Sequence, residues 1–202
     1  MTTWIAKKIV AKLELLGIID KSDEEIYVYG FFVILSKVLF LIVSISCGLI
    51  LNIPIPSLVF YITFLSLRTY AGGSHAKTEV RCTVLTMLSI ILCLLCVKAM
   101  LIINLQSIPL LFTISGSIAV VILSPLDTAS KPICTEEKKE YKKITMTLLL
   151  GWMLCGTAAW YLGWTKIVCA ISVGIFIEGI LLVVGVIQNI HNRGNRILAI
   201  MT

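Results

Sequence analysis

Long apolar runs separated by short polar breaks dominate the 202-residue chain. Six stand out, at about 31–51, 54–67, 84–103, 108–123, 144–162 and 167–187. About 20 residues rising 1.5 Å each cross roughly 30 Å of hydrocarbon, so each run reads as a transmembrane helix. The second opens on Pro54 and Pro56, which a helix accepts in its first turn. Ahead of the runs, Trp4, Ile5, Ile9, Leu13 and Leu16 recur at helical spacing, with Lys7, Lys8, Lys12 and Glu14 on the other side. That pattern predicts an amphipathic helix lying in the membrane interface. Gly17 ends it, and Ser22 and Asp23 followed by Glu25 read as a cap leading to the first span. Lysines and acids break up the first 30 residues, so no signal-peptide core is expected there.

The expected fold class is therefore all-α: a polytopic integral membrane protein with six transmembrane helices plus an N-terminal amphipathic interfacial helix. It is expected to form one membrane domain over 1–202, with an interfacial region at 1–29, the six-helix bundle at 31–187 and a tail at 188–202.

Composition strengthens this reading. The chain is 58% hydrophobic and only 14% charged, where a soluble domain carries about a quarter charged residues. The net charge of +6 is spread over short loops rather than gathered in one basic stripe with interleaved aromatics, so no nucleic-acid partner is expected. It reads as a topology signal and an attraction to the anionic lipid bilayer. Of the 17 basic residues, all but Lys37, Lys98 and Lys166 fall in the N-terminal region, the loops after the second and fourth runs, or the tail. Short loops rich in Lys and Arg stay inside. Both termini and the segment 68–82 are thus expected to be cytoplasmic, in a multi-pass cell-membrane protein.

Five of the seven cysteines, Cys47, Cys93, Cys96, Cys155 and Cys169, lie within apolar runs and read as packing thiols rather than a disulfide framework. Cys93 and Cys96 form a C-x-x-C in the middle of such a run, which reads as core and not as a redox site. Two histidines and no compact Cys/His cluster argue against a metal. No cofactor is expected.

One polar insert interrupts the apolar pattern, Arg68-Thr69-Tyr70-Ala71-Gly72-Gly73-Ser74-His75-Ala76-Lys77-Thr78-Glu79-Val80-Arg81-Cys82. A cysteine with a histidine is a route to acyl transfer, the thiolate attacking a carbonyl while the imidazole carries the proton. On one straight helix His75 and Cys82 would share a face but stand about 10.5 Å apart along the axis, too far for a contact of about 3 Å. A turn at 71–74, with glycine free to take positive φ, would bring His75 back on Cys82. Cys82 would then lie near the next helix's N-terminus, where the dipole, His75 and the cations Arg68, Lys77 and Arg81 favour a thiolate. Spacing alone leaves open the plainer readings, His75 at the interface and Cys82 as another packing thiol.

The motif Arg68 to Ala76 followed by Cys82 resembles the signature of the AgrB family, the accessory gene regulator B membrane endopeptidases. The segment Ser124-Pro125-Leu126-Asp127-Thr128-Ala129-Ser130-Lys131-Pro132-Ile133 is similar to that family's proline-flanked basic loop, with the single lysine Lys131 before Pro132. The resemblance implies a cysteine endopeptidase of quorum sensing that cuts an AgrD-type propeptide. Its matching residues are Arg68, Gly73, His75 and Cys82: Cys82 as nucleophile, His75 as base and then acid, and a thioester that a nucleophile within the substrate displaces to close a thiolactone or lactone. Arg68 would hold a carboxylate or polarise the oxyanion, or serve only as a positive-inside anchor. Gly73 would serve backbone geometry. Asp127 or Glu79 would orient His75, or each would serve as a local cap.

Among intramembrane charges, Lys37 and Lys98 lie close enough to span ends to snorkel, whereas Glu178 sits near the centre of the last run and suits either a partner in the bundle or a role in a peptide path. The run 136–143, alternating Glu and Lys, reads as a solvated helix start. A rival of another class is a non-enzymatic transporter or export partner for a small peptide. A homodimer is the default assembly.

Overall fold

The computed structural model describes residues 2–72, 79–103, 107–126 and 135–201. Among them the chain forms α1 (Thr2–Leu15), a 3-10 turn (Lys21–Asp23), α2 (Glu24–Ile50), α3 (Pro54–Ala71), α4 (Glu79–Ile103), α5 (Ser107–Leu123), α6 (Thr135–Tyr161) and α7 (Thr165–Met201). The chain groups into two compact units, Met1–Val43 and Ser44–Thr202.

In the first unit α1 is the amphipathic helix that the spacing predicts, with the Lys8 ammonium 3.9 Å from the centre of the Trp4 ring. It stops where Gly17 takes a φ of 69°. The Gly17 N–H then donates to the Glu14 carbonyl and the Ile18 N–H to the Leu13 carbonyl, the paired bonds that close a helix C-terminus. The same pairing ends α2 at Asn52 and α6 at Gly163, both with positive φ.

In the second unit α7 is the central helix. It packs against α3, α4, α5 and α6, and Val168, Cys169, Ala170, Ile171, Ser172, Val173, Ile175, Glu178 and Leu182 are all buried. Over Val168–Ile175 the helix is buried on every side, whereas Ile180, Val183 and Ile187 further along are exposed. Its most extensive contact is with α5. A side chain built on Gly116 would sit 2.7 Å from the Phe176 Cα, and one on Gly179 would sit 3.0 Å from the Gly116 Cα. Nearby, Phe112 stacks on Phe176 and the Thr113 hydroxyl donates to Ser172 at 2.9 Å. Trp152 Nε1 of α6 donates to the Ser66 hydroxyl of α3 at 2.9 Å. At the far end of α3, Ser44 donates to the Ser57 carbonyl and Gly48 faces the Ser57 side chain, so α2 and α3 meet through small residues.

All six apolar runs are helical, and four helical stretches are long and apolar enough to cross a membrane: Lys21–Ile50, Val80–Ile103, Glu136–Tyr161 and Thr165–His191. The other two are α5, apolar but 17 residues long, and α3, 18 residues long and interrupted by Ser57, Tyr61, Thr63, Ser66, Arg68 and Thr69. The mixed-charge run is the start of α6, and α7 continues without a break past 187 into the segment expected as a tail. The outer faces of α4 and α5 expose Leu92, Leu95, Ile102, Leu111, Ile114 and Ile122.

Candidate functional site

Arg68 lies in the last turn of α3, where leucine, threonine and tyrosine neighbours keep the helix regular up to Ala71. Beneath it is a core of Leu67, Ala71, Val120, Leu149, Ile171, Ile175 and Leu182. The arginine does not project freely into solvent. Its side chain is 19% exposed, its Nη1 donates to the Gly72 carbonyl at 2.7 Å, and the same nitrogen stands 4.0 Å from Oε1 of the fully buried Glu178. This is the partner that an acid in the last run calls for.

Gly72 has φ 79° and ψ −146°, a conformation that other residues rarely adopt. It pairs with Leu126 in an isolated parallel bridge, and the Leu126 N–H donates to the Ala71 carbonyl at 2.9 Å. A side chain on Gly72 would come within 2.6 Å of the Leu126 carbonyl oxygen. Glycine is therefore required here twice, by the backbone angle and by the close approach.

The same end of the structure is tied by α6. The Lys142 ammonium donates to the Ser124 carbonyl at 2.7 Å and to the Val121 carbonyl, capping the end of α5. Tyr70 meets Tyr141 edge to face, ring centres 5.9 Å apart. The Ser124-Pro125 peptide is cis. The segments 68–82 and 124–133 thus leave the fold side by side, at Gly72 and Leu126.

Cys82 is the fourth residue of α4 as described, a free and partly buried thiol whose carbonyl accepts from the Thr86 hydroxyl. Gly73, His75, Asp127 and Lys131 lie outside the described residues, and so does the proposed return of His75 on Cys82. Among the described residues no three His, Cys, Asp or Glu side chains gather as metal ligands would. Cys93 and Cys169 are buried free thiols within the bundle. A mainly apolar cleft of about 640 Å³ opens at the other end of α3, between Asn52, Pro54, Trp164 and Lys166, and contains none of the candidate residues.

Sequence reasoning singled out Arg68 and Glu178 separately and did not pair them. A lone acid in one apolar run and an arginine closing another were the available signal. Leu126 and Lys142 had none, because both act through backbone carbonyls or amides.

These features define a class: an all-helical protein with several membrane-length apolar helices and a polar joint, built on one arginine, at one end. The family model described as accessory gene regulator B, AgrB, matches residues 2–182, and the chain belongs to that family. It is 29% identical to AgrB-like protein 2 of Clostridium perfringens strain 13 over 69% of this chain and 65% of that one. It is 30% identical to an AgrB-like protein of Clostridium perfringens strain SM101 over 61% and 60%. With the accessory gene regulator protein B of Staphylococcus intermedius it shares 31% identity over 56% and 61%. The chain thus matches less than two thirds of the length of each of these relatives. No solved structure matches it.

Proposed function

We propose that this protein is a membrane cysteine endopeptidase that cuts the C-terminal part of an AgrD-type quorum-sensing propeptide and releases it for cyclisation. The observation that carries the reading is the Gly72–Leu126 joint. It gathers the origins of the two segments bearing every candidate residue, Arg68, Gly73, His75 and Cys82 in one and Asp127 and Lys131 in the other, in a chain of the AgrB family.

The Cys82 sulfur attacks the scissile carbonyl, and its proton passes through His75 to the departing amine as the C–N bond breaks. The acyl group then rests on Cys82 as a thioester. A cysteine or serine of the substrate attacks that thioester, its proton returning by His75, and Cys82 leaves as the ring closes. One acyl bond is exchanged for another, so no ATP is consumed. A site at the membrane surface helps to keep water from the thioester. Cys82 lies in the first turn of α4, at the end of the helix that the candidate segment enters. Asp127 and Lys131 are supporting or substrate-binding residues in this scheme.

In the same reading all six apolar helices span a single membrane domain. The two shorter ones support this by length, since 17 and 18 residues reach about 26 and 27 Å and fall within the range of known spans. Both termini and the Gly72–Leu126 end face the cytoplasm. The joining of the two basic segments at one end of the fold supports that placement.

The test is Cys82→Ala in protein reconstituted in liposomes with its propeptide, read by mass spectrometry. Loss of cleavage in a folded variant is expected; retained cleavage overturns the reading and leaves a peptide transporter. Reporter fusions after Ile103 and Thr202 test the topology, the first expected outside and the second inside.

A further inference from the structure

Glu178 has no part in the chemistry above, yet its placement is costly. It is the only acidic residue of α7 and is fully buried. Among the described residues neither of its oxygens has a hydrogen-bond partner. Ile175 and Leu182, a turn to either side on the same face, belong to the core that also holds Leu67 and Ala71, the residues bracketing Arg68. A buried carboxylate in such surroundings is costly unless a cation stands beside it or it takes up a proton, and Arg68 is the cation it faces.

The geometry of that pairing is informative. At 4.0 Å the contact is an ion pair and not a hydrogen bond. Glu178 therefore attracts the guanidinium without capturing its donors, and Nη1 is left to bond the Gly72 carbonyl at 2.7 Å. Carboxylate, guanidinium and carbonyl form a chain that runs from the middle of α7 to the residue from which the polar insert departs. The same residue, Gly72, forms the bridge with Leu126.

We infer that Glu178 is a positioning residue for the peptidase site: its charge keeps Arg68 on the Gly72 carbonyl and so fixes the joint from which both candidate segments leave. It touches no reacting atom. The catalytic half of this inference rests on the function proposed above; the structural half, that Glu178 holds the joint through Arg68, does not.

Two readouts on the full-length protein in liposomes test it, with E178Q, E178D, R68Q and the double variant R68Q/E178Q. The first is hydrogen exchange at the Leu126 amide, which donates to the Ala71 carbonyl. E178Q is expected to speed exchange there about tenfold, with the amides of mid-α5 unchanged. R68Q is expected to do the same, and the double variant no more than R68Q. The second is propeptide cleavage, where E178Q is expected to lower kcat about tenfold with little change in KM, and E178D to restore part of the rate.

Unchanged exchange at Leu126 in E178Q overturns the inference. So does a rise spread evenly over α3, α5 and α7, which marks an ion pair that merely stabilises the bundle, and so do additive effects in the double variant. If E178Q does not fold, E178D and R68Q serve together: a rise at Leu126 is expected in R68Q and a smaller one in E178D, and its absence in both overturns the inference. Cleavage that survives Cys82→Ala removes the peptidase reading, while the exchange data still decide whether Glu178 holds the joint.

Discussion

Gly72 of the α3 terminus and Leu126 beyond α5 lie so close that no side chain fits between them: a Cβ on Gly72 would stand 2.6 Å from the Leu126 carbonyl oxygen. Gly72→Ala is expected to break this joint. At φ 79° and ψ −146° a residue with a side chain is strained by about 1–3 kcal/mol, and the overlap adds about 1–3 kcal/mol. A lowered thermal midpoint in detergent and loss of propeptide cleavage are the expected outcomes; unchanged cleavage would dissociate the joint from function.

Lys142→Met removes the ammonium that caps α5 at Val121 and Ser124. A hydrogen bond from a charged donor is worth about 1.5–3 kcal/mol. Chemical unfolding should show a loss of that order, and Lys142→Arg, which keeps charge and donors, should lose less than half as much.

Arg68→Met leaves Glu178 buried beside no cation. Breaking one side of a buried pair costs about 3–5 kcal/mol, whereas replacing both partners is often near neutral. The double variant R68M/E178Q is therefore expected to melt at a higher temperature than R68M. The opposite order would mean that Glu178 is satisfied without the arginine.

Thiol reactivity offers a check that needs no substrate. Cys93 and Cys169 are buried within the bundle, while Cys82 is partly exposed at the start of α4. In inside-out vesicles, with the labelled sites mapped by mass spectrometry, an impermeant maleimide is expected to label Cys82 and spare the other two. Equal labelling of all three contradicts an activated, cytoplasm-facing Cys82.

The helices were legible because each is local. Continuous apolar stretches mark α2 to α7, the spacing of Trp4, Ile9 and Leu13 marks α1, and Gly17 marks its end. The alternating charges at 136–143 were readable as a helix start for the same reason. Length alone separated α3 and α5 less clearly, since polar residues dilute one and the other is short. The site was legible as a motif and not as an arrangement. Arg68 and Glu178 are far apart in sequence, and nothing local to either announces the other. Gly72 was read as a hinge for His75; its contact with Leu126, a backbone pairing without side-chain signature, gives a second reason for glycine. The partnership of His75 with Cys82 falls on residues outside those described.

The glycine seam between α5 and α7 bears on how a peptide can travel. With Gly179 against the backbone of Gly116, and Gly116 against that of Phe176, these two helices meet with no room for a side chain at either glycine. If the proposed function holds, a propeptide or its cyclic product has no lateral doorway between these glycines. Any route past the central helix must open along another of its faces, and Gly116→Val, by wedging the two helices apart, would disturb the fold before it created a passage.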